Sequence, residues 1–358
     1  MAIAVLRFVD RAAMAGGMTR ILIVLALAIL LLPAPHPSKP EAVQAGALLV
    51  SARALPLSSI DPALRRVGAL DYLGGWELRS ANPGFGGISA LRATGGGDIL
   101  ALSDSGILMG FHVGSGEASR RPFIAPLPVR PKDRDRPWWA WDSEALTYDP
   151  ATDRHWVGFE LQQSICRYAP GFARVEACRV WPAILGWPKT GSIESLARLP
   201  DGRFIAIAEM GMTPDGAHQA LLFAGDPAES ATPDPIPLRY TPPQGYRPTD
   251  AVALDDRRLL VVNRRLTLQN LFTATIAIVD LPVTLEPGAT LKARTLARLA
   301  PPLLADNFEG IAISREGGRT MLWVISDDNH EFFQRTLLLK FRLADQPSAK
   351  PNGARVPR

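Results

Sequence analysis

From about residue 84 into the 340s, apolar and polar residues alternate in short runs, and five stretches share one plan. They are "GFGGISALRATGGGDILALSDSG" (84–106), "WDSEALTYDPATDRHWVGFE" (141–160), "GSIESLARLPDGRFIAIAEM" (191–210), "RPTDAVALDDRRLLVVNRR" (247–265) and "DNFEGIAISREGGRTMLWVISDDN" (306–329). Each begins with a small or acidic residue and a short strand of period two. A turn rich in Asp, Gly or Arg follows, then a more continuous apolar strand that ends on a polar or acidic group. Period two predicts strands, and no sustained 3.6-residue pattern competes with it downstream of residue 45.

Taking Ser89, Glu144, Glu194, Asp250 and Glu309 as equivalent, the plan recurs at intervals of 55, 50, 56 and 59 residues. That is room for a four-stranded unit with loops, the repeat of a β-propeller. At about 55 residues per repeat, residues 46–358 hold roughly six copies. The expected fold is therefore all-β, a six-bladed propeller. Its sixth blade would be shared between N-terminal strands near "GALLVSARALPL" and "LDYLGGWELRS" and the C-terminal strand "TLLLKFRL" (336–343). Pairing the two chain ends closes the ring and protects both edges. A two-domain β protein is the competing architecture.

Composition changes the picture mainly at the N-terminus. Arg20 precedes the unbroken apolar run "ILIVLALAILLL" at 21–32, followed by Pro33 and, at Val43–Ala45, the small-residue pattern "VQA". Twelve apolar residues are too few to span a bilayer comfortably, which takes about 20. The expected organisation is a signal peptide over 1–45 cleaved after Ala45, a propeller domain over 46–345 and a flexible tail over 346–358. An uncleaved anchor is the alternative, and Met18 is a second candidate start. The chain carries a net charge of +4, part of which resides in residues 1–45, so the balance makes no case for nucleic acid. The expected location is the periplasm or the exterior, with membrane contact only through the signal segment and a monomeric state. Cys166 and Cys178 flank a Pro170-Gly171 turn and can form a disulfide in an oxidising compartment; two buried free thiols remain the alternative.

In a propeller the first strand of each blade lines the central channel, so equivalent positions converge on the axis. Glu144, Glu194, Asp250 and Glu309 would then face one another, and carboxylates so gathered need a counter-charge. A hard cation such as Ca²⁺ takes oxygen ligands of this kind. Asp104, Glu160, Glu209, Asp327 and Asp328, at the ends of the second strands, form another candidate ring, interspersed with Arg264, Arg265 and Arg154. His330, beside that acidic cluster, is a candidate general base, and a histidine hydrogen-bonded locally is the plainer reading. The carboxylates themselves can equally serve as structural partners of backbone N–H groups. The Trp138, Trp139 and Trp141 cluster can wall a cleft or pack over the rim. The chain has no G-x-S-x-G elbow, no Walker loop, no dinucleotide fingerprint and no H-E-x-x-H.

At these five segments the chain resembles the phytase-like family of exported bacterial proteins, also described as the esterase-like activity of phytase. The resemblance implies a β-propeller, secretion, and hydrolysis of a phosphate or carboxylate ester, a small-molecule substrate. By it, Glu144, Glu194, Asp250 and Glu309 match the acidic starts of the blades, and Asp104, Glu160, Glu209 and Asp327 match the second-strand ends. Asn263 stands where the family often has an acid. The expected metal ligands are accordingly Glu144, Glu194, Asp250, Glu309, Asn263 and Asp327. Glu309, His330 and Arg264 are the expected catalytic residues, Arg264 as a phosphate partner. Two alternatives stay open: a divalent-metal lactonase of the gluconolactonase kind, which Asn263 suits, and a propeller that binds a ligand or protein without catalysis.

Overall fold

A computed structural model describes residues 43, 45–116, 118–133 and 141–344. The apolar run at 21–32, Trp138, Trp139 and the tail 346–358 lie outside the described residues. The rest is all-β, organised as five antiparallel groups of four strands. Their first and second strands are Ile88–Gly95 with Asp98–Ser103 (sheet I), Ser143–Asp149 with Arg154–Phe159 (II) and Ser195–Arg198 with Phe204–Met212 (III). Arg247–Ala253 with Arg258–Thr267 (IV) and Phe308–Glu316 with Arg319–Ser326 (V) complete the set. First strands of neighbouring sheets lie against one another in cyclic order, I on II through to V on I. The outer strands of III and IV, Ile236–Thr241 and Thr290–Leu299, also pair in parallel and merge those two groups into one eight-stranded sheet.

The core explains the continuous apolar runs. Five hydrophobic clusters fill the molecule, each between two neighbouring sheets. In the second strand of IV, Leu260 and Val262 face sheet V while Leu259 and Val261 face sheet III, all fully buried. A strand covered on both faces has no polar side to show, so alternation fades there. Full burial of each such side chain stabilises the fold by about 1.5–3 kcal/mol, and the cyclic order provides both faces at once.

Six repeats were expected and five four-stranded groups are described. The chain ends do pair: Leu337–Leu343 runs antiparallel to Leu70–Arg79, with Leu339 opposite Gly75. They do so inside sheet V, as its third and fourth strands, and no sixth sheet forms among the described residues. The length that suggested a sixth copy is spent elsewhere. Ser51–Ala54 adds a fifth strand to sheet V, and Gly46–Ala47 adds one to the outer edge of sheet I. Cys166 and Cys178 stand opposite each other in the third and fourth strands of sheet II, joined by a disulfide with their Cα atoms 4.0 Å apart.

Candidate functional site

A bulge at the start of the first strand decides which side chains reach the axis. In sheet I, Ile88 pairs with Ser103 but Ala90 with Leu102; in II, Ser143 pairs with Phe159 but Ala145 with Gly158. In IV, Pro248 pairs with Asn263 but Asp250 with Val262, and in V, Phe308 pairs with Ser326 but Gly310 with Ile325. The residue left over is Ser89, Glu144, Thr249 or Glu309. In sheet III, Glu194 holds this place, directly before the first paired residue Ser195. On the second strands, the residue following Ser103, Phe159, Asn263 or Ser326 is Asp104, Glu160, Arg264 (itself paired with Arg247) or Asp327, and in sheet III Glu209 lies two residues past Ile207.

A slip of one residue turns a strand's side chain to the opposite face. The member of the ring from sheet IV is therefore Thr249, whose hydroxyl donates to the Phe308 carbonyl at 3.1 Å. Asp250, expected among the ligands, instead accepts backbone N–H bonds from Ala251 at 2.7 Å and Ile311 at 2.9 Å, tying sheet IV to sheet V. Asn263 is likewise displaced: its Oδ1 accepts from the Tyr240 hydroxyl at 2.6 Å and its amide donates to the Val261 carbonyl. Arg264 takes the ring position in its stead. Arg154 binds Glu176 at the periphery and Arg265 is exposed near the Tyr246 ring, so neither joins the acids.

Glu144, Glu194 and Glu309 do converge, with one carboxylate oxygen of each within 4.8 Å of the others. A second triad of the same tightness joins Asp142, Glu144 and Glu160. Arg264 is the guanidinium of the ring. Its Nη1 donates to Glu309 and to Asn307 Oδ1, and its Nη2 donates to Glu209 at 3.0 Å. Asn307 donates to the same oxygen of Glu309 at 2.8 Å. Neither Glu144 nor Glu194 has a protein hydrogen-bond donor among the described residues.

The electrostatics follow first from burial and then from this crowding of like charge. Burial, reinforced by Asp142 and Glu309, pushes the Glu144 carboxyl well above its ordinary range; burial and Glu144 do the same to Glu194. Asp327 is raised by burial and by Glu309 and Asp104. Glu309 is raised by burial even though Arg264 pulls it back. Glu160 moves to about 8 through burial and its contact with Asp142, against the N–H bonds it accepts from Gly191 and Ser192. For Arg264, burial works against the charge, yet Glu309, Glu209 and Glu194 outweigh it and hold the proton more firmly.

His330 sits on the flank of the ring, beside Asp104. Asp328 orders its loop by accepting the N–H of Gly87 at 3.0 Å, the N–H of His330 at 3.1 Å and the Thr336 hydroxyl at 2.7 Å. Gly87 has φ +58, and a Cβ there would stand 2.8 Å from Asp104 Oδ1 and 3.0 Å from His330 Nε2. Glycine is what lets the backbone pass between the two. Asp142 and Asn307 escaped sequence reasoning, though each stands two residues before a ring glutamate, in "DSE" and "NFE". That offset was the available signal.

The profile of the family described as phytase-like, the esterase-like activity of phytase, matches residues 83–330. No curated protein sequence matches the chain. Among solved structures, a Trichoderma reesei carbohydrate-active enzyme of family AA12 aligns at 11% identity and a TM-score of 0.37. It covers 77% of this chain and 98% of its own. A luciferin-regenerating enzyme aligns at 10% identity and a TM-score of 0.40, over 84% of this chain and 98% of its own. At these values neither informs the chemistry.

Proposed function

Since the chain belongs to the phytase-like family, we propose that it is a five-bladed propeller that hydrolyses a phosphate or carboxylate ester at its carboxylate ring, assisted by a bound Ca²⁺. The observation that carries this reading is the triad Glu144, Glu194 and Glu309, gathered within 4.8 Å, two of whose members make no ion pair among the described residues. The donor set fits the ion: all oxygen, all acidic, and spaced for calcium–oxygen bonds of about 2.3–2.6 Å. Buried carboxylates kept apart only by protonation give up those protons when a divalent ion arrives.

Glu144, Glu194 and Glu309 would hold the ion, and Asp142 and Glu160 adjoin it through their shared triad with Glu144. When bound, calcium supplies Lewis-acid polarisation of the ester oxygen and a more acidic coordinated water. Arg264 is fully engaged by Glu209, Glu309 and Asn307, so its part is to orient Glu309 and balance charge, in place of the phosphate contact expected of it. Glu160 keeps a proton near neutral pH and is placed to return it to a leaving group. His330, beside Asp104, is placed to accept one. Asp327 lies next to Glu309 and Asp104 and adds to the field that attracts the cation. Asp250 and Asn263 leave the ligand set, and the lactonase alternative loses with Asn263 the residue that favoured it. The Cys166–Cys178 disulfide supports an exported protein, which we take to act as a monomer after loss of residues 1–45.

The test uses the chain from residue 46 onward with p-nitrophenyl esters and phosphates, alongside calcium titration by calorimetry. We expect one calcium bound per chain and turnover that EGTA abolishes. Glu194→Gln should weaken calcium binding by tenfold or more and remove turnover with it. Stoichiometric calcium without turnover would leave a binding propeller, and no calcium at all would make the ring structural.

A further inference from the structure

Apolar side chains edge the mouth of the acidic ring, from Leu161 and Met210, little more than a third exposed, to Leu268 and Phe332, almost wholly exposed. Fourteen large apolar residues are exposed among the described residues, and eight of them follow a ring position by seven residues or fewer. Leu161 comes directly after Glu160, and Met210 and Met212 come after Glu209. Beyond Arg264, the second and third strands of sheet IV continue as a paired hairpin tip. It carries Leu266, Leu268 and Leu271, and Leu268 is 96% exposed. Beyond Asp327, Phe332 is 83% exposed and packs edge-to-face on Phe333.

A single exposed leucine needs no explanation. Four sheets repeating the same placement do. Each of these residues lies on, or on the strand ends flanking, the connection between second and third strands, the connection that the ring position opens. They therefore share one end of the molecule with the carboxylates. The result is a polar, acidic centre with an apolar collar around it. The collar begins where the site ends, since Leu161 and Met210 are the chain neighbours of Glu160 and Glu209.

Resting on the hydrolase reading above, we infer that the substrate is an amphiphilic ester. Its ester or phosphoester head sits at the ring and its alkyl or acyl chain lies on the collar. Continuity of collar and ring selects this occupant: in four sheets exposed apolar side chains follow a ring position by one to seven residues, so a chain attached to a head group at the ring passes over apolar surface. A fully polar ester would leave the collar in water, bound or free.

The experiment is a series of p-nitrophenyl esters from acetate to octanoate, each below its micellar concentration, with calcium present. A fully buried methylene is worth roughly a fourfold gain, so partial burial predicts a rise in kcat/KM of at least about tenfold from acetate to octanoate. The double variant Leu268→Ser, Phe332→Ser should flatten that rise while acetate turnover and calcium affinity stay unchanged. A flat series in the unaltered protein, with acetate still turned over, overturns the inference and leaves the hydrolase reading standing. If no ester is turned over, calorimetry with octylphosphonate and methylphosphonate decides. Octylphosphonate binding tenfold tighter or more supports the collar, and equal binding overturns it. Sedimentation showing a dimer that the double variant converts to monomer would assign the collar to self-association and also overturn it.

Discussion

Two acidic clusters in this molecule meet opposite surroundings. At the outer edge between sheets II and III, Arg167 donates to Glu176, Asp226 and Glu229, and Arg154 takes a second hold on Glu176 at 2.7 Å. Those arginines, Arg154 first, hold the Glu176 carboxyl below its ordinary range. At the mouth, Glu194, Glu209 and Glu309 act on one guanidinium, that of Arg264, and the carboxyls of Glu144, Glu194, Glu309 and Asp327 are pushed up. The residue types are the same. With Arg174 also 3.7 Å from Glu176, three arginines meet three acids in the outer cluster, whereas the mouth is left with excess acid. A protein can hold such an excess by protonating it or by acquiring a cation.

The sharpest way to break the comparison is to remove each cluster's arginine. Arg264→Met should cost about 3–5 kcal/mol in calcium-free buffer at pH 8, the usual penalty for stranding buried partners, and added calcium should restore part of it. Arg167→Met should cost less and gain nothing from calcium. Chemical denaturation with and without EGTA reads both, and equal calcium responses would erase the distinction.

Next in size is pH. A carboxyl raised in the folded state, as Glu160 is to about 8, binds more protons folded than unfolded. Its contribution is complete below about pH 4.5 and is lost as pH rises through its folded value. Calcium-free protein should therefore melt at progressively lower temperature from pH 5 to pH 8, and saturating calcium should flatten the decline. Glu160→Gln should flatten part of it without calcium. A melting temperature that climbs over that range would contradict the assignment of excess acid to the mouth.

The smallest effect separates ring residues from their neighbours. Asp250→Asn leaves one of two buried N–H groups without an acceptor, a loss of about 1–3 kcal/mol. Calcium affinity should stay unchanged. A tenfold loss of affinity would return Asp250 to the ligand set.

Much of this was legible in the sequence. Period-two runs and a repeating offset located Glu144, Glu194 and Glu309, because the offset survives wherever the bulge falls at the same point of the repeat. The fourth member was misread for a physical reason. A bulge adds one residue without any mark in composition, so choosing the acid in "TD" selected Asp250 over Thr249, and in "NR" Asn263 was added as a ligand beside Arg264, which alone reaches the ring. Chain length alone could not give the number of sheets, since the strands at the two ends complete an existing sheet. The pairing of those ends was readable from the need to protect edges.

That pairing has a consequence in time. Arg342 reaches back across 271 positions to Asp71, at 3.1 and 2.6 Å, and the strands that carry them stand side by side in one sheet. A growing chain lacks this partner until the strand Leu337–Leu343 has been synthesised. Contacts so distant in sequence are slow to find one another. The circle thus shuts only after sheets I to IV have been made, by a step that joins a strand preceding them to one that follows them.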